Sequence, residues 1–273
     1  MPANYMTWQT LSRLVSLALS TCDLDYLKVD PPGFIHAYQL SLWYVKDAPI
    51  YCLSESFFEA LDNTEALDKP NILAGWKPTL PSFLLALPKG VLRSPSIGIV
   101  DYLIVGCFDS EHPEWRTGQW REVTIPDYPI PYPACFQWAT VDTNQVCWFS
   151  GAAVSDGSLI REGYDLGNHS LSEDDRIFVD RIHNLIVNVL LVLETCPDLM
   201  SNVTSTETIA KPKGFGIAQK QKAANIRYPR WLGKSYKRTV NATPRKHHAS
   251  PRTHWRRGHW RSLEGQHWKQ NKR

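Results

Sequence analysis

The chain has 273 residues, 43% of them hydrophobic and 21% charged. That length suits one large domain or two modest ones with a real core, and that hydrophobic share excludes a wholly disordered chain. The net charge of +3 conceals an asymmetry: residues 1–200 carry 12 Lys and Arg against 25 Asp and Glu, a net −13, whereas residues 201–273 carry 18 against 2, a net +16.

The first expected element is a helix over residues 5–21, with Leu11, Leu14, Val15, Ala18 and Leu19 on one face. Phe34 to Val45 is rich in strand formers. Glu55 to Leu61 reads as a short helix. Phe83 to Leu87 and Ile97 to Phe108 are apolar and β-leaning, bounded by Pro81, Pro88 and Asp109. Residues 110–133 carry five prolines and read as a loop. A hairpin follows, Cys135 to Val141 and Val146 to Ser150, turning at Asp142-Thr143-Asn144-Gln145. The clearest element is a helix from 173 to 196. Ser172 caps it, Glu173, Asp174 and Asp175 suit the positive end of its dipole, and Pro197 stops it. Its C-terminal half is expected to be buried all round.

After Met200 the apolar runs vanish and Lys, Arg, Asn, Ser and Thr dominate. The expected organisation is an acidic mixed α/β or α+β globular body over 1–200 and a basic, partly flexible module, rich in Trp, Arg and His, over 201–273. Pro229 to Tyr236 reads as a local ordered turn. Three units then set an aromatic ring beside an imidazole and a cation: His254-Trp255-Arg256, His259-Trp260-Arg261 and His267-Trp268-Lys269. Arg forks phosphate oxygens and stacks on bases. Trp stacks on an unpaired base, worth about 1–3 kcal/mol. Gly258 permits a bend that turns Trp255 and Trp260 to one ligand.

The stretch from His248 through Pro251 to Arg261 resembles the C-terminal signature S-P-R-x-H-W-R-R-G-H-W-R of a scattered set of uncharacterised bacterial and mobile-element proteins. Pro229 to Tyr236 resembles the companion motif that precedes it. The resemblance is specific over a short stretch and implies no assigned activity. Proteins of that set continue into a Trp-containing apolar strand, so the tail here is expected to be truncated or to lack that strand.

The residues point first to a nucleic-acid-binding protein that favours RNA or single-stranded DNA. Arg252, Arg256, Arg257 and Arg261 would hold phosphates, Trp255, Trp260 and Trp268 would stack, His254 and His259 would donate hydrogen bonds, and Lys269 belongs to the same binding set. A second reading is a metal-independent, toxin-like endoribonuclease in which His254, His259 and Arg257 supply base, acid and cation. Whether the chain is an enzyme stays open between these two. A third reading is a structural or interaction protein of a mobile element with no nucleic-acid role, its tail folded onto its own acidic surface. The acidic body offers a face for a protein partner.

No metal or other cofactor is expected. His247, His248, His254, His259 and His267 match no standard zinc spacing. Asp109, Glu111, His112 and Glu114 read as a solvated acidic loop, and His183 as a satisfied interface histidine. No P-loop, dinucleotide fingerprint or nucleophile elbow occurs. The six cysteines are scattered without a C-x-x-C pair, which points to free thiols in a reducing cytoplasm. No apolar run approaches the ~18 residues of a membrane helix, so no membrane partner is expected.

Overall fold

A computed structural model describes residues 1–20, 29–66, 72–73, 76–116, 134–155, 158–160, 172–202, 229–236, 260–263 and 266–270. The first helix, α1, spans Trp8–Leu19 and is capped by Thr7, whose hydroxyl accepts from the Thr10 N–H. Leu11, Leu14 and Ala18 are its buried face, as the apolar spacing predicts.

The stretch expected to be strand-like is instead a helix, α2, Pro31–Val45. Asp30 caps it by accepting from the Gly33 N–H, and Pro31 and Pro32 occupy the first turn, where a missing N–H costs nothing. Phe34, Leu40 and Leu42 are fully buried. The helix lies between α1 and the sheet, so it shows no amphipathic period. Its aromatic and β-branched content then outweighs the helical signal in the sequence.

Strand β1, Ile50–Leu53, leads directly into helix α3, Glu55–Asp62. Strands β2, Ser82–Ala86, and β3, Tyr102–Asp109, follow. The expected hairpin forms from β4, Ala134–Val141, and β5, Cys147–Ser155, with a short β6, Ser158–Ile160. The long helix α4 runs Glu173–Thr195. Ser172 and Asp175 cap it reciprocally, each accepting from the other's backbone N–H. Val187 to Val192 are buried on every side, as expected.

Two short strands, β7, Met200–Asn202, and β8, Arg230–Leu232, complete an eight-stranded sheet in the order β6-β5-β4-β3-β2-β1-β8-β7. β1 pairs in parallel with β2 and with β8, while the remaining neighbours are antiparallel. A separate antiparallel pair is formed by β9, Trp260–Leu263, and β10, Gln266–Gln270, and β10 runs close to α4.

Alternation along the strands divides the core in two. Phe83, Leu85, Leu103, Val105, Phe136 and Trp138 face α3 and α4. Leu84, Ala86, Tyr102, Ile104, Cys135 and Ala139 face α1 and α2. The body is therefore mixed α/β, with helices on both faces of a largely antiparallel sheet. Several polar side chains within it are paired. His36 Nε2 lies 2.7 Å from the Tyr102 hydroxyl, and burial pushes the His36 pKa down to about 4. Asn188 donates to the carbonyls of Leu61 and Thr64, and Asn184 brackets the same turn through Thr64 O and the Ala66 N–H. Arg181 of α4 forks both oxygens of Asp62 on α3 at 2.7 Å. Cys52, Cys107, Cys135, Cys147 and Cys196 are free thiols, in agreement with the spacing argument; Cys22 lies outside the described residues.

Candidate interaction surface

The Trp231-Leu232-Gly233 segment, read from sequence as a local turn, is held in the sheet by a chain of bonds. The Ser54 N–H donates to Leu232 O at 3.1 Å, the Ser54 hydroxyl to Gly233 O at 2.7 Å, and the Gly233 N–H to Leu199 O at 2.9 Å. Gly233 has φ +77°, and a Cβ there would strike the Phe57 ring. Tyr5 meets Trp231 edge-on at 5.5 Å, while Lys234 lies 5.3 Å over the Trp231 ring.

Two tight turns sit side by side at one end of the sheet. In the first, which precedes β3, the Ile97 N–H donates to Ser94 O and the Ser94 N–H to Gly98 O, both at 2.9 Å. In the second, between β4 and β5, the Gln145 N–H donates to Asp142 O and the Asp142 N–H to Val146 O, both at 3.0 Å. The hydrogen-bond pattern is the same in both, and each ends on a residue in the left-handed region, Ile97 at φ 65° and Gln145 at φ 64°.

Asp142 joins the two turns. One carboxylate oxygen accepts from the Asn144 N–H at 2.8 Å and the Val146 N–H at 3.0 Å. The other accepts from the Ser94 hydroxyl at 2.5 Å, the Ser96 hydroxyl, and Trp148 Nε1 at 3.3 Å. Asn144 Nδ2 returns a bond to Ser96 O at 2.6 Å, and Thr143 pairs with the Ile99 backbone in both directions. Asp142 is buried. Burial alone would raise its pKa, but the hydrogen bonds from Ser94, Ser96, the Val146 backbone and Trp148 outweigh this and hold the carboxyl below its ordinary range. Trp148 in turn packs edge-on against Phe178 of α4 at 5.0 Å, so the paired turns are braced by the long helix. Ile97 and Val146 project from this tip into solvent.

The sequence singled out Asp142 as a turn residue but not as the hub of two turns. The missed signal is the run Ser94-Pro95-Ser96-Ile97-Gly98, whose Ser-Pro and Gly punctuate an otherwise apolar stretch.

Of the residues expected to bind nucleic acid, Arg252, His254, Trp255, Arg256, Arg257 and His259 lie outside the described residues, as do His247 and His248. Trp260 and Arg261 fall on β9, Trp268 and Lys269 on β10, with Arg261 opposite Lys269 and Trp260 opposite Gln270 in the backbone register. The acidic stretch that begins at the last residue of β3 is held by local partners, and Asp109 is buried, not solvated as expected. Asp109 accepts from the Glu111 N–H at 2.8 Å, and Glu111 pairs with Lys77 at 2.6 Å. His112 stacks on Trp115 at 4.6 Å and contacts Glu114 at 3.2 Å. The hydrogen bond and charge of Lys77 hold the exposed Glu111 carboxyl low. Among the described residues no group of three His, Cys, Asp or Glu is placed to hold a metal. His183 is buried edge-on against Phe136 and Trp138. A cavity lined by Trp76, Phe83, Cys107, Leu190 and Glu194 has no more room than one water needs. Among the described residues no helix is long and apolar enough to cross a membrane.

The model of the AcrVA2-like family, described as the anti-CRISPR type V subtype A2 family, matches residues 51–264. No curated protein matches the chain. The family match overturns the expectation of a nucleic-acid-binding protein and that of a toxin-like endoribonuclease. The basic His-Trp units suggested a polyanionic ligand by residue type alone, whereas the match spans the fold from β1 through β9 and carries an anti-CRISPR description. It favours the reading of an interaction protein of a mobile element. Because the match covers well over half of its 273 residues, the chain belongs to the AcrVA2-like anti-CRISPR family.

Proposed function

We propose that this protein is an inhibitor of type V CRISPR immunity, produced by a mobile element and acting through contact with a protein component of that system. The observation that carries the reading is the family match across residues 51–264. The charge distribution supports a protein partner. Residues 1–200 carry a net −13, and CRISPR effectors hold their nucleic acid in positively charged channels. Opposite fields of that kind steer association and raise its rate.

The test is phage plating on cells that carry an active type V system targeting that phage. Cells that also make this chain are expected to restore plaques by several orders of magnitude, whereas cells protected by an unrelated CRISPR type remain protected. Unchanged plating, with the chain shown to accumulate intact, would refute the proposal.

A further inference from the structure

Ile97 is β-branched and sits at φ 65°, a region that such residues rarely adopt because Cβ crowds the backbone. Its side chain is 76% exposed, so in the free protein it gains little burial in return. Glycine would suit this backbone position without strain. The turn has no easy escape. At the next position, Gly98, a Cβ would strike the Asp142 carboxylate, so the only glycine of the turn is held at 98, not at the left-handed position 97. The surrounding hydrogen bonds, from Ser94, Ser96, Asn144 and Trp148, over-determine the strained geometry. Val146, 38% exposed, is carried on the adjoining turn by the same carboxylate.

We infer that this paired-turn tip is a docking surface, with Ile97 the apolar prong that enters an apolar pocket on a protein partner. This rests on the proposed function, under which the partner is the type V effector. A rigid convex tip with an isoleucine at its apex calls for a concave apolar recess. Among the described residues of the two turns, Arg93 is the one exposed cation, and residues 1–200 carry a net −13, which disfavours phosphate or an anionic membrane as the occupant. A basic effector surface around the recess complements the acidic body that carries the tip.

The test uses the full chain with Ile97→Gly and Ile97→Asn, both of which suit a left-handed position. Each variant is melted, titrated against the purified type V effector, and assayed for restored phage plating. The expected result is a melting temperature equal to or above that of the original chain, with binding weakened about tenfold to a hundredfold and plating reduced accordingly. Binding within twofold of the original would overturn the inference, as would a clear fall in melting temperature, which would show that Ile97 serves the fold. The original chain separates the two claims. If it fails to restore plating, the proposed function and the partner named here both fall. If it succeeds and the variants match it, the docking assignment alone falls.

Discussion

Asp142→Asn isolates the carboxylate that ties the two turns together. The amide keeps one acceptor for the Asn144 and Val146 N–H groups, but places an NH2 against Ser94, Ser96 and Trp148. The two hydroxyls can rotate to accept; the indole N–H only donates and is left facing another donor. Hydrogen bonds to a charged group contribute about 1.5–3 kcal/mol against about 0.5–1.5 for neutral ones. Weakening four and losing one at this buried site gives a cost of about 2–4 kcal/mol. For a chain of this size that corresponds to a fall in melting temperature of about 5–15 °C at pH 7. The sign with pH follows from the depressed pKa. The carboxylate's contribution is complete above the unfolded value near 3.9 and is lost as pH falls through the folded one. Melting both proteins from pH 7 downward should therefore show the gap narrowing below about pH 3.9. A variant that melts within 2 °C of the original at pH 7 would refute the assignment of Asp142 as the hub.

Three further outcomes follow from the core. Burial lowers the His36 pKa from 6.5 to about 4. Protonation of the unfolded chain should therefore cost the native state up to about 3 kcal/mol as pH drops from 6.5 to 4; His36→Gln should flatten that slope in urea titrations, and an unchanged slope would contradict it. Gly106 leaves space that Gln39 fills from α2, so Gly106→Ala should cost about 1–3 kcal/mol. Adding Gln39→Ala should recover part of that loss, and strictly additive unfolding energies would rule out the contact. Burial raises the thiol pKa of Cys52 to about 12 and pushes Cys107 up as well. Iodoacetamide should spare both in the native chain and label them in urea; equal labelling in both states would contradict their burial.

Where sequence and structure agree, a single local signal was decisive. Helix α4 announced itself through Ser172, three acidic residues and a long apolar stripe, and the β4–β5 hairpin through two apolar runs around Asp142-Thr143-Asn144-Gln145. Helix α2 was hidden because burial on both sides erases periodicity and Phe34, Tyr38 and Trp43 read as strand. Strand β8 was hidden because three residues, Arg230 to Leu232, carry no alternation; their place beside β1 is set by bonds from Ser54 that lie nearly 180 residues away in the chain. The candidate surface was least legible. The turns at Ser94 and Asp142 are each ordinary in composition, and only their juxtaposition across 48 positions makes Asp142 a hub. The His-Trp-Arg units are more conspicuous in the sequence, yet residue type signals a ligand class without saying whether a chain uses it.

Under the proposed function, the chain works by touching a protein. The most direct measurement co-expresses the tagged chain with a type V effector and purifies the pair after exhaustive digestion with RNase and DNase. The effector is expected to stay bound after digestion and to be recovered in much smaller amount with the Ile97→Gly chain. Loss of the effector on nuclease treatment alone would contradict it.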